Sequence, residues 1–181
     1  MTLLIIGLAL WILVHWFKRL APNLRASLGD AGKGIVAVLL LAGLVLLIIG
    51  YRSAPLISVW TPPSFMVHVN NLLMVVAVAV FAMSHTKGRL RGRMRHPMLT
   101  SVKLWSVAHL LVNGDLASIV LFGGLLVWAV GSVIMINRYE TWERPAPGDK
   151  GRDVIFIVIT VVTFAAMVGI HMVLGVNPFP W

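Results

Sequence analysis

The chain has no cysteine. That excludes disulfides, iron–sulfur clusters, a thiol nucleophile and the CxxCH attachment of c-type haem. Acid is scarce as well: 6 Asp and Glu stand against 15 Lys and Arg in 181 residues. No carboxylate falls inside any long apolar run, so paired-carboxylate acid–base chemistry has no place there. GxGxxG, P-loop and HExxH patterns are missing too. No internal repeat is visible, which removes the inverted-repeat signature of many transporters. Nor is there an extended polar segment to hold a separate catalytic module, so any chemistry belongs to the apolar runs or their short loops.

What remains is apolar. Hydrophobic residues make up 59% of the chain and charged ones 12%, where a soluble domain has nearer half and a quarter. The expectation is an all-α integral membrane bundle in one domain over residues 1–181, embedded in a lipid bilayer. Six spans are expected, at residues 2–17, 34–50, 65–84, 97–113, 116–136 and 154–176, with Pro- and Gly-rich loops between them. The first run neither begins with positive charge nor closes on small residues, so it reads as a retained span and not as a signal peptide. Trp60 and the terminal NPFPW segment read as interfacial anchors.

The net charge of +9 does not indicate a nucleic-acid partner, because the basic residues sit in short loops between spans. Thirteen of them fall in alternate loops: Lys18, Arg19, Arg25, Lys33; Lys87, Arg89, Arg91, Arg93, Arg95; Arg138, Arg144, Lys150, Arg152. The other loops hold Arg52 alone, and Lys103 lies within a span. The positive-inside rule then puts both termini outside the cytoplasm.

With cysteine gone, histidine is the strong transition-metal ligand left, at His15, His68, His85, His96, His109 and His171. His85 and His96 flank the basic loop and read as interfacial, as do His68 and His171 at the opposite surface. His171 ends a helical stripe, Thr160, Thr163, Met167, His171, which reads first as bundle packing. His109 and His15 are different. At about 1.5 Å per residue, His109 lies about 18 Å from the cytoplasmic boundary and His15 about 5–10 Å from it. A buried imidazole needs a hydrogen bond, a carboxylate or a metal, and an ionisable residue inside a span is a site hypothesis by default. Trp105, His109 and Asn113 share one helix face, while His96 and Lys103 share another, from which Lys103 can snorkel. Asp115 reads as the N-cap of the following helix.

The run RHPMLTSVKLWSVAHLLVNGD, followed by LASIVLFGGLLVWAVGS, resembles the NnrU family of bacterial membrane proteins. GYRSAP, VWTPP, and His15 followed by Leu24-Arg25 carry the same resemblance, which covers most of the chain. It implies a multi-pass protein of the bacterial inner membrane, associated with denitrification and with nitrite and nitric oxide metabolism. Partners implied are other membrane proteins of denitrification and an apolar or small gaseous ligand. The family is homologous to plant zeta-carotene isomerase, which holds b-type haem through histidines. Carried over, this implies haem b with His15 and His109 as axial ligands through the iron, and His96, Trp105 and Asn113 in support. The chain reads His96-Pro97-Met98 where the plant enzyme has HPQ, and it lacks the plant's later paired histidines around Trp128, so haem carries over further than isomerisation does.

Two axial imidazoles set their backbones roughly a dozen Å apart. The depth difference of His15 and His109, about 8–13 Å, then needs a haem tilted towards the membrane plane; His109 with His171 is the alternative pair. Three functional readings stay open: a haem protein of nitric oxide handling or a haem-dependent isomerase of a polyene lipid; a cofactor-free transporter with a path along His109, Asn113 and the Thr160–His171 stripe; and an accessory or assembly subunit.

Overall fold

Within lipid a backbone must bond to itself, so apolar runs of this length are constrained to helices. The structure is a computed structural model and describes residues 1–179. Those residues form α1 (Thr2–Leu20), α2 (Pro22–Ser27), α3 (Ala31–Arg52), α4 (Met66–His85), α5 (Pro97–Val112), α6 (Leu116–Tyr139) and α7 (Arg152–Val173). Five are long and apolar enough to cross a bilayer, and α5 is a shorter apolar helix of 16 residues. The six expected spans are therefore α1 and α3 to α7, and the architecture is a helical membrane bundle. One element was not expected: α2 forms inside the first loop, with Pro22 in its first turn, where the missing N–H costs nothing.

Packing order across the bundle is α3, α1, α6, α5, α4, α7, with α3 also touching α6. Close approach of α1 and α3 depends on small residues: a Cβ on Gly50 would strike the backbone of Leu4, and one on Gly7 would lie 2.7 Å from the Leu47 nitrogen. Side-chain bonds tie the other helices. Trp16 Nε1 donates to Ser132 Oγ at 2.9 Å, joining α1 to α6, and Ser101 Oγ donates to the Ala77 carbonyl at 2.7 Å, joining α5 to α4. By contrast α7 packs on α4 and buries none of its residues, which leaves most of its surface to lipid.

The two ends differ in chemistry. At one end the basic loops are stitched together: Arg19 pairs with Glu140 at 2.7 Å, Arg89 pairs with Asp153, and Arg144 Nε donates to the Gly92 carbonyl at 3.0 Å. At the other end lie the start of α1, the turn between α5 and α6, and the end of α7, whose Pro178 carbonyl accepts from Asn71 at 3.0 Å. The first and last crossings thus begin and finish at the less basic end.

That less basic end gathers three sequence motifs into one knot. Val59 and Trp60 donate to the Gly114 carbonyl at 2.8 and 3.1 Å, and Leu116 donates to Ile57 at 2.8 Å. Asp115 caps α6 as expected, accepting from Ser118 N at 2.9 Å and Ser118 Oγ at 2.6 Å. Because Ser118 Oγ donates to a carboxylate, Tyr51 must be the donor in its 2.9 Å bond to that hydroxyl. A side chain at Gly114 would strike the Trp60 carbonyl, so only glycine fits.

Candidate functional site

Three intramembrane histidines are held by the same device. His15 donates from Nδ1 to the Trp11 carbonyl at 2.8 Å, His109 to Trp105 at 3.0 Å, and His171 to Met167 at 2.8 Å. Each partner lies four residues earlier, one helical turn away. A carbonyl can only accept, so Nδ1 carries a proton, and Nε2 is the ring nitrogen left uncommitted. Metal-binding histidines are commonly fixed in this way, with the second ring nitrogen committed to a carbonyl or carboxylate.

Their surroundings then diverge. His109, on α5, has the Phe122 ring 4.6 Å away, Trp105 at 5.2 Å and the His171 ring of α7 at 6.4 Å. Asn113 continues the ladder, donating Nδ2 to the His109 carbonyl at 2.8 Å. The Trp105–His109–Asn113 face is thus a run of linked groups, and it points towards α6 and α7. Beside it lies a cavity of about 270 Å³ walled by α4, α5 and α7. Met74, Ala77, Val78 and Phe81 line it from α4, Ser101, Val102 and Trp105 from α5, and Thr163 and Met167 from α7. Thr163 and Met167 of the stripe read as packing on α7 therefore border this cavity, and its last member, His171, lies beside His109.

His15 stands in a tight aromatic box instead. Its ring lies 4.4 Å from Trp11 and 4.7 Å from Trp128, and the two indoles meet edge to face at 5.7 Å. Phe122, which touches His109, and Trp128, which touches His15, are six residues apart on α6. That separation is about 9 Å of rise and about 120° of rotation, so the two histidines address different flanks of α6. His109 has His171 as its ring neighbour, and no ring contact joins it to His15 among the described residues. His96 is at the basic end, donating Nε2 to the Asn137 amide oxygen at 2.8 Å. That places it well away from both rings.

These motif residues also decide the relationship. The family model described as "NnrU protein" matches residues 3–178. The chain belongs to the NnrU family. Neither curated proteins nor solved structures gave a match. In this NnrU-family chain, sequence reasoning named His109, Trp105 and Asn113, which lie on one face of α5, and did not name Phe122 or the α4 wall of the cavity. Phe122 sits in an unbroken apolar run, where no signal marks it. The signal for the α4 residues is Ser101, a hydroxyl that needs a partner across the helix interface and finds it at Ala77.

Proposed function

We propose that this NnrU-family protein holds b-type haem between α5 and α7, with His109 and His171 as the axial pair, and acts in denitrification-linked handling of nitric oxide or electrons. The observation that carries the reading is the facing pair of imidazoles, each with Nδ1 committed to a carbonyl, at 6.4 Å between ring centroids. The Nε2 atoms left uncommitted by those bonds are the donors that would hold the iron. Haem when bound supplies one-electron exchange and an open-shell iron.

The residues do the rest. The Trp105 and Met167 carbonyls fix the tautomer and aim of the two rings. Phe122 and Trp105 wall His109 in apolar surface, which excludes water. The neighbouring cavity suits a small apolar guest, since apolar cavities of comparable size stay dry and bind such molecules. At about 270 Å³ it is smaller than a tetrapyrrole, so a bound macrocycle would extend beyond it along the unburied surface of α7. A polar transport path is less well supported, because the cavity walls are apolar and the Ser101 hydroxyl is spent on Ala77. The positive-inside rule supports a cytoplasmic position for the basic end, in a bacterial inner membrane.

The test is an absorption spectrum of protein purified from haem-sufficient cells. A Soret band that disappears in His109→Ala and in His171→Ala, and survives in His15→Ala, is expected. A folded but colourless wild-type protein refutes the reading, and loss of the band in His15→Ala with retention in His171→Ala moves the axial pair to His15 and His109.

A further inference from the structure

We infer that the elbow between α1 and α2 is a binding site for the phosphate of an anionic phospholipid in the leaflet at the basic end. A concavity of about 340 Å³ lies there, lined by Lys18, Pro22, Arg25 and Ala26. Its two cations are uncommitted. The ion pairs among the described residues are Arg19–Glu140, Lys33–Asp30 and Arg89–Asp153, and neither Lys18 nor Arg25 joins one. Asp30, the carboxylate nearest in sequence, is already paired with Lys33 at 3.0 Å. Arg25 makes one long contact, Nη1 to the Gly29 carbonyl at 3.4 Å.

The local fold explains why the charges converge. Ala21 leaves helical geometry at φ −136° and ψ 65°, which turns the chain and sets Arg25 back beside the last turn of α1. Gly32 lets the guanidinium lie against the start of α3, since a Cβ there would sit 2.5 Å from Nη1. Arg25 is therefore positioned and half-buried while Lys18 is exposed. Basic pockets beside membrane helices at the cytoplasmic surface recognise anionic headgroups by this charge geometry.

Two features favour a lipid over free phosphate. The concavity sits at the end of a membrane-crossing helix, where headgroups are concentrated. Leu20 and Leu24 flank it at 58% and 57% exposure, an unfavourable arrangement in water and a favourable one for an elbow seated in the interface. The guanidinium and the ammonium can then hold one phosphate between them while the acyl chains remain in the bilayer.

Native mass spectrometry of detergent-solubilised protein titrated with phosphatidylglycerol or phosphatidylcholine tests this. Wild type is expected to retain phosphatidylglycerol preferentially. Lys18→Gln with Arg25→Gln is expected to weaken that binding by about thirtyfold, as loss of two headgroup cations implies. Arg91→Gln with Arg93→Gln removes equal charge from another loop and is expected to leave binding within about twofold. Lys18→Arg with Arg25→Lys keeps both charges and is expected to retain binding. Equal losses in the two glutamine pairs, no preference for phosphatidylglycerol, or displacement of the lipid by millimolar inorganic phosphate each overturn the proposal.

Discussion

His109 and His15 are oriented by the same bond to the carbonyl one turn earlier, yet they occupy opposite kinds of space. Around His15 the neighbours are aromatic: two indoles lie against the imidazole, and Trp16 fills the space over Gly131. Around His109 lie Phe122, Trp105 and a second histidine, and Trp105 and Met167, the carbonyl partners of those two imidazoles, line an apolar cavity beside them. The first neighbourhood packs indoles on a lone imidazole, and the second pairs two imidazoles next to a cavity. Identical local geometry at a histidine therefore does not tell a ligand from a packed ring; the neighbours of the ring do, and a second imidazole stands beside His109 alone of the two.

The largest effect expected from breaking this contrast is all-or-none. Haem absorption is expected to vanish on His109→Ala and on His171→Ala while His15→Ala keeps it, read from spectra of the purified proteins. Stability should follow the reverse order. Trp128 is buried and holds the His15 box together, so Trp128→Ala is expected to cost about 3–5 kcal/mol. Met167→Ala, which merely enlarges an existing cavity, is expected to cost clearly less. Denaturant titrations in one detergent measure both, and equal losses would erase the distinction between a filled flank and an open one.

Adding atoms should preserve that ranking. A Cβ on Gly131 would sit 2.6 Å from the Trp16 ring, so Gly131→Ala displaces the indole from its bond to Ser132 and is expected to cost about 1–3 kcal/mol. Thr163→Phe adds far more volume but adds it to the cavity, where it is expected to cost less than Gly131→Ala and to abolish uptake of a small apolar probe such as xenon. Thermal melts with and without pressurised xenon give both quantities. Xenon stabilisation that survives in Thr163→Phe would place the guest somewhere other than the gap between α5 and α7.

How far such contrasts can be read from sequence depends on what lipid conceals. The spans were legible because a bilayer demands apolar runs of fixed length. His109 was legible by depth, and Asp115 by its place after a tight turn. The short α2 was not, since six residues with a proline and an arginine offer too little periodicity. The inward faces were also hidden. In water, apolar and polar residues separate the buried side of a helix from the exposed one; in lipid both sides are apolar, so nothing distinguished Trp128 or Phe122 from neighbours that face the bilayer. Adjacency of His109 and His171 joins helices 62 positions apart and appears only once α7 is docked on α4. The convergence of the GYRSAP, VWTPP and NGD motifs was likewise visible as three separate strings, with no sign that Tyr51, Trp60 and Gly114 form one knot.

The smallest expected effect concerns the residue both flanks share. Asp115 caps α6, and α6 carries Phe122 towards His109 and Trp128 towards His15. Asp115→Ala leaves the Ser118 amide without its acceptor and frees the Ser118 hydroxyl that receives Tyr51, which is expected to cost about 1 kcal/mol. Asp115→Asn keeps an accepting oxygen and is expected to recover most of that loss in the same denaturant titration. Because the cap sits at the end of α6 and touches neither ring, the haem spectrum should be unchanged in both variants. A shift of the Soret band in Asp115→Ala would mean that the rotation of α6 sets the two flanks together, making the two neighbourhoods a single coupled unit.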